Sequence, residues 1–480
     1  MKRFRKWSMG KQAGYAAWLV PLMGVGLLVW WGVGRLDREA PVVQGPDHLG
    51  LLGQKTTVAI KAGDASSGLK ELKVTLVQEG QEKVLLTRSF PPGGEAGTEV
   101  EAAVTVEPKA LGLKEGRATL SAAVRDRSWR RGFQGRTATW TREVTIDLVP
   151  LNLAFVGVNH LLHYGGTGLI LYHLNKEVKE SGVRVEGRFY AGYPLPQGEK
   201  GDYLAFFPVP LEPKGPLTVE LVARPALGEE VKRPVPLKLK PRKWRHDNMN
   251  LSEGFLRQVA ATFAVPHPDP VQAFLAVNRE LRQANHKRLR EICRQSQPQP
   301  LWSGSFQRYL GKPMARFGDK RSYIYQGKAV DHQTHLGEDL ASLERSPVPA
   351  TANGVVVLAD SLGIYGQTVI LDHGLGIFSM YSHLSQIEVK KGDRVDKGAK
   401  LGLTGATGLA GGDHLHYSVM VHGEFVDPLE WWDPHWHKDQ VQGMLAVKKT
   451  QTPVSEAASV KKDQAKTGKA KGKKGAGRGR

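Results

Sequence analysis

The chain is almost without cysteine. Cys293 is the single thiol in 480 residues, so no intramolecular disulfide can form and a thiolate metal cluster is excluded. An exported protein can live without disulfides, so this scarcity does not argue for the cytosol. Lipidation at a cysteine is excluded for the same reason. No small-x-small cleavage pattern follows the one long apolar run near the N-terminus, because Trp30, Trp31 and Arg35 crowd that place. That lack favours an uncleaved segment over a removed signal peptide. The last stretch, from about Lys448 to Arg480, has almost no apolar content and only two acids, Glu456 and Asp463. It cannot build a core and is expected to be a disordered basic tail, taken as residues 441–480.

What is present divides the chain. Residues 15–33 form the apolar run, long enough to cross a bilayer. Trp18 and the pair Trp30–Trp31 lie toward its ends, where indoles favour the interface. Lys2, Arg3, Arg5, Lys6 and Lys11 precede it. The positive-inside rule then puts residues 1–14 in the cytoplasm and the remainder outside, as a single-pass protein anchored by this helix. The net charge of +20 is not uniform, and the tail is strongly basic. With the bulk beyond a membrane, the expected counter-charge is an anionic envelope polymer rather than nucleic acid.

The length calls for about three domains, and the fold class is mostly β. Residues 40–148 alternate apolar and polar positions, as in Thr56–Lys61, Leu72–Val77, Ala118–Val124 and Trp140–Ile146, with turn signals between. Short strands at this spacing predict an immunoglobulin-like sandwich. A second β-sandwich module is expected over residues 151–243. His160 and His163 fall there without a third ligand nearby and are read as core or turn residues. Residues 244–325 change to helical spacing, with Ser252 and Asp269–Pro270 as entry signals. They are expected to be a helical connector, its run from Lys287 to Arg294 a solvated face.

The strongest signal lies near the C-terminal end. His335-Leu-Gly-Glu-Asp339, Tyr381-Ser-His383 and His414-Leu-His416 follow one another in Gly-rich, β-patterned sequence. Imidazole and carboxylate are the usual protein donors to zinc, which in a hydrolase keeps three protein ligands and one open position. Gly337 permits a bend or close approach that lets His335 and Asp339 converge on one ion. Side chains two apart on a strand share a face, so His414 and His416 point into the same cleft, one of them as a ligand. His383 adds another imidazole able to move a proton near neutral pH. This is a minimal kit for metal-assisted amide hydrolysis. His435 and His437 repeat the spacing after Trp431–Trp432 and are read as domain-capping residues.

The stretch from about Gln326 to Trp432 resembles the lysostaphin-type (LytM-type, duplicated hybrid motif) zinc metallopeptidases. The likeness rests on His335-x-Gly337-x-Asp339, Asn353-Gly354-Val355-Val356, Tyr381-Ser-His383-Leu384, the glycine-punctuated run from Gly392 to Gly408, His414-Leu-His416 and Val426-Asp427-Pro428. It covers less than a quarter of the chain, with the domain taken as residues 326–440. The resemblance implies that His335, Asp339 and His416 bind Zn2+. It implies that His383 and His414 polarise water or stabilise the oxyanion, and that bacterial peptidoglycan peptides are the substrate. Asp413 stands where the family usually has Pro, and Tyr417–Ser418 where it usually has Phe-Glu. The expected setting is then a bacterial inner membrane with the bulk in the periplasm. The rival expectation is a non-catalytic activator or scaffold for a wall amidase or division complex.

Overall fold

The computed structural model describes Val25 and residues 39–92, 99–129, 134–159, 161–213 and 215–447. They fall into two compact units, the first ending at Pro150 and the second beginning at Leu151, with Ala226–Gly228 grouped with the first.

The first unit is a pair of sheets. Strand Glu99–Val106 buries every second residue (Val100, Ala102, Val104, Val106) and exposes the others, which is what strict alternation dictates. It pairs with Thr56–Gly63, which pairs with Val42–Gln44. The other sheet runs Leu51–Leu52, Thr137–Ile146, Gly116–Asp126, Leu69–Gln78, Gln81–Ser89. Leu72, Val74, Leu120 and Val124 from this sheet share one core with Val58 and Ile60 from the first.

In the second unit, residues 151–243 form two four-stranded sheets, ordered Tyr193–Pro194, Asp202–Pro208, Thr167–Leu174, Leu153–Val158 and Arg188–Ala191, Glu180–Val185, Val219–Arg224, Val231–Pro234. Thr167–Leu174 is buried on both faces, as its unbroken apolar run requires. Ile170 and Tyr172 point into the module's own core. Leu169 and Leu171 join Leu204 and Phe206 in the core of the next domain. The module therefore shares a core with the peptidase-like region instead of standing off from it. His163 ends strand Leu161–His163, and His160 lies outside the described residues.

The C-terminal sheet runs Lys312–Ala315, Glu338–Ala341, Leu415–Val421, Ile377–Leu384, Gln367–Gly374, Gly354–Ser361, Arg394–Val395, with Glu424–Val426 also on Leu415–Val421. Its central strand, Ile377–Leu384, is buried throughout. Tyr381, Tyr417 and Val419 face the core shared with residues 151–243. Phe378, Met380 and Met420 face the opposite way, under Leu256, Val259, Phe274 and Leu289.

Those last four residues belong to the expected connector. Its helices start at the expected caps. Ser252 Oγ accepts from the Phe255 N–H ahead of Glu253–Thr262, and Asp269 Oδ1 accepts from the Val271 N–H ahead of Pro270–Leu275. The second helix continues through the π-turn Ala276–Leu281 into Arg282–Ile292. The connector is more than helical, however. His246–Asn250 pairs in parallel with Lys320–Tyr325, which pairs with Lys328–Thr334. These segments wrap the peptidase-like sheet, and their apolar faces are spent on it.

Two expectations fail at the ends. Residues 441–447, read as the start of the tail, are helical, because Val441 and Met444 bury in the shared core. Residues 448–480 lie outside the described residues. So do residues 15–33 apart from Val25. Among the described residues no helix is long and apolar enough to cross a membrane. The long helical stretch from Pro270 to Ile292 carries Arg279, Lys287, Arg288 and Arg290 exposed. The expected inner-membrane placement is corrected accordingly: no described element supports it.

Candidate metal centre

Two neighbouring strands bring the site together. Glu338–Ala341 and Leu415–Val421 run antiparallel, with Asp339 directly opposite His416. His335 stands just before the first strand. The backbones can approach because Gly337 separates them: a Cβ there would lie 2.6 Å from Ser418 Oγ and 2.7 Å from His416 Cε1. Only glycine fits that contact. Leu415, Tyr417 and Val419 go to the core, so His416 and Ser418 face the other side. His414 precedes the strand and bridges to Gly405. His383, at the end of its own strand, has φ +61°. This left-handed backbone is costly for a non-glycine residue and is typical of functional positions.

Three donor atoms converge. His335 Nε2 lies 3.0 Å from Asp339 Oδ1 and 3.1 Å from His416 Nδ1, and the last two are 2.8 Å apart. Zinc–ligand bonds of about 2.0–2.2 Å at tetrahedral angles separate donors by roughly 3.4 Å. The group is thus close to the size of one such ion.

The outer hydrogen bonds settle what each ring presents. His335 Nδ1 is 2.9 Å from the Arg316 carbonyl. A carbonyl only accepts, so Nδ1 carries the proton and Nε2 turns a lone pair inward. Ser418 Oγ donates to the Leu336 carbonyl at 2.8 Å, so it accepts from His416 Nε2–H at 3.1 Å. His416 Nδ1 then presents a lone pair. Two lone pairs and a carboxylate oxygen meeting at one point repel one another unless a cation lies between them. That is the fit expected of a metal centre with its outer hydrogen bonds in place.

The two further imidazoles are held alike. His383 Nδ1–H donates to the Thr407 carbonyl at 2.7 Å, and His414 Nδ1–H to the Gly412 carbonyl at 2.8 Å. Each leaves Nε2 free as an acceptor. The two rings are 4.9 Å apart, and His414 Nε2 is 3.6 Å from Asp339 Oδ1. Burial, with His416 and His414 beside it, lowers the His383 pKa to about 3. Burial also opposes charge on His414, but the Asp339 carboxylate outweighs it and raises that pKa. For Asp339, burial acts upward, yet the surrounding His335, His414 and His416 hold the carboxyl well below its usual range.

Arg321 had no signal in the sequence. Its Nη2 donates to Asp339 Oδ2 at 2.8 Å, fixing the carboxylate that offers Oδ1 to the centre. It arrives through pairing of Lys320–Tyr325 with Lys328–Thr334, a relation no local motif encodes. Ser418 was visible only as a departure from the family pattern. The centre opens into a cavity of about 340 Å3, whose far side is built by Met249, Asn250, Phe255, Phe274 and Arg282. His437 lies elsewhere, against the Trp302 ring.

Residues 333–428 match the profile of peptidase family M23. Peptidoglycan DD-endopeptidase ShyA of Vibrio cholerae is 40% identical over 96 residues, 20% of this chain and 22% of that protein. DD-carboxypeptidase/endopeptidase Mpg of Neisseria meningitidis is 37% identical over 95 residues, again 20% and 22%. Murein hydrolase activator EnvC of Escherichia coli is 34% identical over 95 residues, 20% and 23%. The chain thus spans less than a quarter of the length of these relatives. Among solved structures, a putative peptidase M23 from Pseudomonas aeruginosa is 25% identical, covers 56% of this chain and 93% of its own, and has a TM-score of 0.35. The catalytic domain of lysostaphin from Staphylococcus simulans is 28% identical over 25% of this chain and 92% of its own, with a TM-score of 0.22. With its paired ligand strands and its matched residues, the C-terminal part of this chain is a peptidase family M23 domain.

Proposed function

We propose that the chain is a zinc metalloendopeptidase that hydrolyses peptide bonds in bacterial peptidoglycan. The observation that carries this reading is the convergence of His335 Nε2, Asp339 Oδ1 and His416 Nδ1, each turned inward by its own outer hydrogen bond or, for Asp339, by Arg321. These three would hold Zn2+. When bound, the ion supplies Lewis acidity toward a substrate carbonyl and lowers the pKa of water.

The protein's own groups do the rest. His383 and His414, each with Nδ1–H anchored on a backbone carbonyl and Nε2 open to the cleft, together remove a proton from the attacking water. His414, anchored on the Gly412 carbonyl, steadies the developing oxyanion from its Nε2 side once protonated. One of these imidazoles then returns a proton to the leaving amine. The cavity walls exclude bulk water and hold the peptide extended. The two β modules upstream, of immunoglobulin-like type in this reading, serve as recognition or spacing elements.

The rival role, activation of another hydrolase without cutting, is favoured only by the likeness to EnvC. An intact, pre-oriented donor set argues against it. The test is digestion of purified sacculi by the whole chain, with products resolved by mass spectrometry. New peptide ends that vanish with chelator and in His383→Ala are expected. Intact sacculi in the presence of bound zinc would move the reading to the activator.

A further inference from the structure

Beside the metal cleft lies a second groove, of about 450 Å3, whose lining apart from Arg321 has no part in the proposed peptidase mechanism. Its lining includes Trp244, His246, Lys320, Arg321 and His332. All five precede the residues matched to the family, and Lys320 pairs with Thr334, the neighbour of His335. Arg321 lines both spaces, so the groove is a side arm of the cleft.

Its chemistry is one-sided. Lys320 and Arg321 bring fixed positive charge, His246 and His332 add two imidazoles, and Glu212 is the only acid in the lining. The acids close by are taken by cations outside it. Arg245 holds Asp247 and Asp319, and Arg279 holds Asp331. Lys320 Nζ reaches Glu212 at 2.9 Å, but that carboxylate is 64% exposed and competes weakly with a ligand. Arg321 Nη2 is spent on Asp339, while its Nε is buried without a hydrogen-bond partner among the described residues. A buried unpaired guanidinium donor is expensive unless something fills it. Trp244 supplies an apolar wall. It packs over Gly318, where a Cβ would lie 2.0 Å from the indole, and stands edge-on to Phe317 at 6.1 Å. Arg242 lies 4.8 Å over its ring. The indole is therefore held in place, suited to the aliphatic part of a ligand whose anionic end meets the cations.

We propose that this groove is a subsite for a carboxylate-bearing arm of the peptide substrate, so that the cleft selects anionic peptides over neutral ones such as glycine bridges. The proposal rests on the peptidase reading for the identity of the substrate, but the subsite is testable by binding alone.

The probes are two synthetic stem peptides, one whose diamino acid has a free α-carboxylate and one with that carboxylate amidated. Titration calorimetry on the whole chain should give about ten- to a hundredfold tighter binding of the free acid, the scale of one charge-assisted hydrogen bond. Lys320→Gln should reduce this preference to under about twofold while leaving the amidated peptide unchanged. His246→Glu, which adds an acid at an exposed strand position, should weaken binding of the free acid alone. Equal binding of the two peptides, no measurable binding of either, or a preference that survives both substitutions overturns the subsite. Cleavage of cross-linked peptide without discrimination would leave the peptidase reading standing and remove the subsite. Discrimination without cleavage would do the reverse.

Discussion

The wall of the cleft that carries the imidazoles and the wall that faces it are held by different kinds of contact. The first is made between His335 and His416, largely by one antiparallel pairing, Glu338–Ala341 on Leu415–Val421. The second draws on Met249, Phe255, Phe274 and Arg282, with Arg321 reaching in from a third strand. The near wall is set by short-range motifs and cross-strand register. The far wall is set by apolar burial against Phe378, Met380 and Met420, which is non-directional. A ligand set is therefore confined to few residue types at fixed spacing, whereas a covering wall accepts many sequences.

That contrast yields a graded series of tests. The largest effect is expected at Gly337. Gly337→Ala forces a methyl against Ser418 and His416, so zinc content should collapse and cleavage should fall by about a thousandfold or more, the scale of losing metal catalysis. Metal analysis beside a sacculus assay checks it; retained zinc would mean the near wall is less tightly built than its register implies. Next, Phe274→Ala empties a fully buried far-wall position. It should cost about 3–5 kcal/mol, and denaturant unfolding should show the loss in the peptidase domain itself. A transition confined elsewhere would mean that the far wall is an appendage. Ser418→Ala removes the acceptor that orients His416 and should lower zinc affinity about 10–100-fold with little change in thermal stability.

The smallest effect concerns pH. Burial, then the neighbouring Asp427 carboxylate, raises the Glu430 pKa to about 8 from a reference of 4.5. Glu430 accepts from the Thr167 N–H, tying the second β module to the peptidase domain. Burial likewise raises Glu338 to about 7. The folded state holds these protons more tightly than the unfolded chain. Stability contributed here is therefore fully present below about pH 4.5 and declines as pH rises toward 8. A fall in melting temperature of roughly 2–6 °C across that window is expected, and Glu430→Gln should flatten it. An unchanged slope in that variant would assign the dependence to other groups.

Much of this molecule could be read in advance, and the failures have physical reasons. Alternation marked the strands at 56–61, 118–124 and 140–146 because each has one face more solvated than the other. Ser252 and Asp269 marked helix starts because a side-chain acceptor there satisfies otherwise unpaired N–H groups. His335, Asp339, His383, His414 and His416 stood out because so few residue types can bind metal or move protons. Arg321 did not, since an arginine in a strand has no local signature and its partner is reached only through tertiary pairing. The merging of residues 151–243 with the peptidase core was also hidden. An apolar run such as Leu169–Tyr172 reports burial on both faces but not what covers them. The helical tail segment at 441–447 was obscured by the charged sequence that follows it.

The deciding measurement is zinc stoichiometry and sacculus cleavage on the same preparations of the wild-type chain and His416→Ala. One tightly held zinc per chain with new peptide ends, both lost together in the variant, is the expected result. Cleavage that persists in His416→Ala after the metal has gone would contradict the assignment of this centre.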